Sequence, residues 1–156
     1  MVKLNRMRLN DIIANFNDCV RDIDFSISCL DDDKLIANEN MERLVKNSIR
    51  NGISSIFTNT EDYLGSVLKK VGIGVTNRSL RECLLSAKQE RLITPEFADC
   101  VLKSVNMRNT FSHRYNRPST ETLIEFYQDN REIFLSQIEF MKKLVSQCCV
   151  GESNSF

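Results

Sequence analysis

Apolar residues return every three or four positions along most of this chain, and no strand-length alternating run competes with that period. That period restricts the fold more than any other feature, because a 3.6-residue stripe can be buried only as one face of a helix. From Leu9 the stripe runs Ile12, Ile13, Phe16, Cys19, Val20, Ile23 and Ile27. Asp31-Asp32-Asp33 interrupts it and reads as a solvated turn, since no ligands flank it at calcium-loop spacing. Asp33 is placed to cap the next helix. That helix is expected from near Asn38 to Val71, carrying Met41, Leu44, Val45, Ile49, Ile53, Ile56, Phe57, Tyr63, Leu64, Val67 and Leu68. The stripe stays in phase across Asn51-Gly52, which favours one long helix with a soft spot there. A break near Thr58-Asn59-Thr60, where Thr58 and Glu61 form a weak capping box, is the alternative. Gly72-Ile73-Gly74 supplies the stop.

The remainder is punctuated in the same way. A shorter helix is expected from Asn77 or Ser79, bearing Leu80, Cys83, Leu84 and Ala87. Thr94-Pro95-Glu96 combines a capping side chain, a proline suited to the first helical position and an acid at the positive end of the dipole. The helix it opens runs through Phe97, Val101, Val105 and Met107 toward His113, and Pro118 stops it. Ser119-Thr120-Glu121 opens the last, with Leu123, Phe126, Tyr127, Ile133, Phe134, Ile138, Met141, Leu144 and Val145. The expected fold is an all-α antiparallel bundle of four to five helices, one domain over residues 1–150, with 151–156 as a disordered tail.

Composition narrows the function classes. Five Gly and two Pro in 156 residues are few turn formers for a many-stranded sandwich. Lys and Arg number 21, as do Asp and Glu, so no overall field draws the chain to DNA or a membrane. No run of eighteen apolar residues is present, and the first residues lack the apolar core of a signal peptide, so a cytoplasmic location and no membrane partner are expected. The six cysteines form no C-x-x-C pair, and the single histidine completes no zinc set at finger spacing, so no metal and no cofactor are expected. The cysteines read as buried thiols, with Cys148-Cys149 the pair most open to oxidation.

One stretch carries chemistry: Met107-Arg108-Asn109-Thr110-Phe111-Ser112-His113-Arg114-Tyr115-Asn116. If the helix continues, Arg108 and His113 lie about 140° apart and share a broad face. Imidazole takes and returns a proton near neutrality. Guanidinium is a permanent cation whose fork fits a phosphate. Asn109 can orient either the base or a phosphate oxygen. Such a set suits cleavage of RNA, which brings its own nucleophile in the 2′-hydroxyl. Arg108 as a surface ion-pair partner, and His113 as a simple helix-dipole partner, are the structural alternatives. The segment 78–117 holds eight basic residues (Arg78, Arg81, Lys88, Arg91, Lys103, Arg108, Arg114, Arg117) against four acids (Glu82, Glu90, Glu96, Asp99). This makes Arg114 and Arg117 candidates for RNA binding, with a solvated mixed-charge face as the other reading. Phe111, Phe126, Tyr127, Phe134 and Phe140 have faces on which bases can stack, but their spacing favours the core. Phe111 has a second reading, as part of a dimer seam.

The pattern Arg108-Asn109-x-x-x-His113 resembles the signature of the HEPN superfamily, and Tyr115 extends it to the narrower Arg-x4-His-x-Tyr pattern of HepT-like toxins. The motif covers eight residues, and the helical layout around it covers most of the chain. The resemblance implies a HEPN-like helical bundle that forms a homodimer, with two motifs around one cleft. It also implies metal-independent endoribonuclease activity in a toxin–antitoxin, phage-defence or RNA-processing system. Arg108 and His113 would then be catalytic, with Asn109 in support. For HepT-like toxins the implied partner is a nucleotidyltransferase-type antitoxin that can adenylylate the motif tyrosine, here Tyr115; the added negative charge would repel an RNA phosphate. A non-catalytic HEPN relative, binding nucleotide or substrate for a nucleotidyltransferase, and a plain helical interaction module are the other two readings.

Overall fold

The structure is a computed structural model that describes residues 5–111 and 116–150, the last two of these by backbone alone. Six helices account for nearly all of it, and no strand occurs among the described residues. They are α1 (Arg6–Leu30), α2 (Asp33–Ile36), α3 (Glu39–Lys70), α4 (Leu80–Gln89), α5 (Pro95–Thr110) and α6 (Thr120–Val150). Five of them are the expected bundle. The four-residue α2 occupies part of the stretch read as a turn.

Local chemistry explains the boundaries. Asn5 caps α1, and Asn38 caps α3 by accepting from the N–H groups of Asn40 and Met41. Asp33, expected to cap the helix that begins near Asn38, is instead the first residue of α2, which Asp32 caps. Ser79 and Glu82 form a reciprocal capping box on α4. Thr94 caps α5 ahead of Pro95. Gly72, at φ +78°, ends α3, and the Ile73 N–H returns to the Leu68 carbonyl at 2.9 Å. Helix α3 runs unbroken through both suspected interruptions. Gly52 proves to be a close-approach residue instead of a soft spot: a Cβ there would lie 2.5 Å from Ile23 Cγ1 of α1.

The long helices run up, down, up and down in the order α1, α3, α5, α6. The pairs Ser26–Ser48 and Cys19–Asn59 set α1 antiparallel to α3. Arg108–Glu61 and Phe111–Phe57 do the same for α5 and α3. Phe97–Phe134 and the bond from the Thr94 N–H to Gln137 Oε1 do so for α5 and α6. Helices α3 and α6 run parallel to each other, through Phe57–Phe126 and Lys70–Cys148. The core is a continuous apolar cluster with an aromatic chain through it, Phe16 to Phe97 to Phe134, edge on at 6.3–6.4 Å. Tyr127 and Phe134 are buried in that core, and Phe111 and Phe126 pack on Phe57. Cys83 and Cys100 are buried, while Cys19, Cys29 and Cys148 are half-buried. Burial pushes the Cys100 thiol up to about 11, and it raises the Cys19 and Cys83 thiols as well.

A polar lock joins α1 to α6. The Tyr127 hydroxyl donates to Asp24 Oδ1 at 2.7 Å, and Arg131 grips the same carboxylate through Nε and Nη2. Burial acts to raise the Asp24 carboxyl, but the Arg131 and Tyr127 hydrogen bonds outweigh it and hold it below the usual carboxylate value.

Candidate functional site

Helix α5 ends at Thr110 rather than reaching His113, and the Phe111 N–H closes its last turn on the Arg108 carbonyl at 3.2 Å. Arg108 therefore sits in the final turn, where a cation complements the helix dipole. Its Nη2 donates to Glu61 Oε1 of α3, and its Nη1 donates to Asn109 Oδ1 at 3.3 Å. A guanidinium has five N–H donors, so three are left without a partner among the described residues. The Arg108 and Glu61 side chains are 41% and 36% exposed. A pair at that exposure contributes about 0–1 kcal/mol to stability, so its main effect is to fix the direction of the guanidinium.

Arg108 is the shared wall of two clefts. The larger, about 400 Å³, lies between α3, α5 and the start of α4. Helix α3 gives it Glu61, Leu64 and Gly65; the 71–79 link gives Val75, Arg78 and Ser79; α4 gives Leu80, Arg81 and Cys83; and α5 gives Val105, Arg108 and Asn109. Three arginines thus face one glutamate, and the cleft is cationic over an apolar floor. The smaller cleft, about 310 Å³, is lined by Ser54, Phe57, Thr58 and Phe111 on the other side of Arg108.

Of the residues singled out from sequence, the structure brings Arg108 and Asn109 together. His113, Arg114 and Tyr115 lie outside the described residues. Arg117 is exposed and lines neither cleft. Glu61 reads from sequence as half of a capping box at Thr58; instead Thr58 donates to the Ser54 carbonyl within an intact helix, and Glu61 is the anchor of Arg108. Arg78 and Arg81 enter the sequence only as part of a basic segment, although their spacing around the Ser79 cap places both at the opening of α4. Among the described residues no three His, Cys, Asp or Glu side chains are grouped to hold a metal ion, and no helix is long and apolar enough to cross a membrane. No protein-family model matches the chain, and neither a curated protein nor a solved structure does.

Proposed function

We propose that this chain is a metal-independent endoribonuclease of the HEPN type, a cytoplasmic homodimer acting in a toxin–antitoxin or phage-defence system. One observation carries the reading. Arg108 is held by a carboxylate at the lip of an arginine-lined cleft, five residues before the only histidine in the chain.

In this reading His113 takes the proton of an RNA 2′-hydroxyl as its oxygen bonds to phosphorus and the bond to the 5′-oxygen breaks. The 5′-oxygen leaves with a proton given by the second His113 of a two-fold cleft. Arg108 stabilises the charge that gathers on the phosphoryl oxygens. Asn109 holds the guanidinium through Nη1, and Arg114 and Arg117 track the backbone. A nucleotidyltransferase partner would silence the site by adding a nucleotide monophosphate at Tyr115.

The deciding experiment incubates single-stranded RNA in chelator with the parent chain and with His113→Ala. The parent is expected to leave 2′,3′-cyclic phosphate ends, and His113→Ala to cleave about 10²–10⁴ times more slowly at an unchanged melting temperature. Equal rates would reject the reading. A second reading, a non-catalytic nucleotide-binding partner, is favoured by the size of the larger cleft, since pockets for small ligands start at about 300 Å³. Nucleotide binding by a parent chain that cleaves nothing would select it.

A further inference from the structure

We infer that the cleft between α3, α4 and α5 is a nucleotide subsite that seats one base beside the phosphate held by Arg108. The inference deepens the ribonuclease reading and rests on it only in giving Arg108 the scissile phosphate.

Gly65 is the starting observation. Glycine inside a helix is unfavourable relative to alanine, so an interior glycine calls for a reason. Gly52 has one, the contact with Ile23. At Gly65 an added Cβ would meet nothing within 4 Å. What the missing side chain provides is open volume, and the residue lines the cleft.

The walls beside Gly65 show what that volume suits. Leu64, Val75, Leu80 and Val105 make an apolar slot, and Val75 stays 38% exposed in it. Arg78, Arg81 and Arg108 stand around the slot. Arg78 makes only a 3.5 Å contact with the Ser86 hydroxyl, and Arg81 has no ion-pair partner among the described residues. The Ser79 N–H is taken by Glu82 in the capping box, so the guanidinium groups are the charged anion ligands here. An apolar slot under a cationic rim matches a heterocycle joined to a phosphate. The ligand is a ribonucleotide, either as a unit within RNA or as a free monophosphate. Since Arg108 is common to both clefts, a base in the larger one is held next to the bond being cut, and the slot selects sequence.

The test measures binding of the four ribonucleoside 5′-monophosphates, and of a fluorescent mixed-sequence single-stranded RNA, to His113→Ala protein. Each is repeated with Gly65→Leu and with Arg78→Gln/Arg81→Gln added. Gly65→Leu should weaken binding about tenfold without lowering the melting temperature, because its side chain fills the slot. The double arginine change, on the exposed rim, should lower the log–log salt slope for RNA by about 1.4. Loss with RNA alone places the ligand within a strand; loss with monophosphate alone places it as a free nucleotide and counts against RNA as the substrate. Unchanged binding in both variants, or no binding by the parent chain, overturns the subsite. Continued cleavage by the unsubstituted chain would then leave the ribonuclease reading standing.

Discussion

Helix α3 carries two interior glycines, and the molecule uses them in opposite ways. In its first half, Gly52 lets the α3 backbone approach α1 so closely that a methyl group would strike Ile23. That seam is tied by Ser26 to Ser48 at 2.9 Å, and α1 is locked on its other side by Asp24 with Tyr127 and Arg131. In the second half, Gly65 faces empty space between arginines. One residue type thus gives close packing at the seam and access at the cleft. Substitutions at the seam should move stability and leave activity per folded molecule alone. Substitutions that fill the cleft or change its charge should move binding and activity at no loss of stability.

The largest effect should follow from forcing a side chain into the seam. Gly52→Val is expected to cost about 1–3 kcal/mol, because Ile23 cannot retreat from its own backbone. Urea unfolding should show a lower midpoint at an unchanged slope. A Gly52→Val protein as stable as its parent would mean that the seam yields, and the contrast with Gly65 would vanish.

The lock beside that seam comes next. Tyr127→Phe removes the donor to Asp24 and should cost about 1–2 kcal/mol. Because the folded Asp24 carboxyl lies below its ordinary value, its contribution is complete above the unfolded carboxylate value of about 4 and fades as pH falls through the lower folded one. Asp24→Asn should therefore flatten the acid limb of the stability–pH curve and lower stability at neutral pH. An unchanged acid limb would remove Asp24 as its source.

These two regions differ also in how far the sequence reveals them. The helices were legible because period and caps agree: Asn38, Ser79 and Thr94-Pro95 stand where the stripes begin. The role of Asp33 was misplaced, since the four-residue α2 that begins there, capped by Asp32, is too short to show an apolar period of its own. The continuity of α3 through Gly52 was legible from phase, but its cause was not, because Ile23 belongs to another helix. Arg108 and Asn109 were legible as a local motif. Glu61, 47 residues away, was not, and Asp24 and Arg131 are 107 apart. Pairing across helices depends on which faces meet, and a single helix's period leaves that open.

On the cleft side, Gly65→Ala should stabilise by about 0.5–1 kcal/mol, since it restores helix propensity in open space. Thermal melting would register the gain. A loss instead would reveal a packing partner for that face and return Gly65 to the same class as Gly52.

The smallest change in stability is expected from Glu61→Gln, and it is the sharpest probe of the cleft. The pair it weakens is half exposed, so unfolding free energy should move by less than about 0.5 kcal/mol. Its kinetic signature should be divided. Removing the one carboxylate that faces three arginines raises the positive charge of the cleft, so KM for RNA should fall at low salt. A neutral amide holds the guanidinium less firmly than a carboxylate does, so Arg108 wanders and kcat should fall as well. A merely structural role for Glu61 predicts neither shift. Were both constants unchanged, the direction of Arg108 would be set by Asn109 and the end of α5 alone, and Glu61 would be only a surface partner.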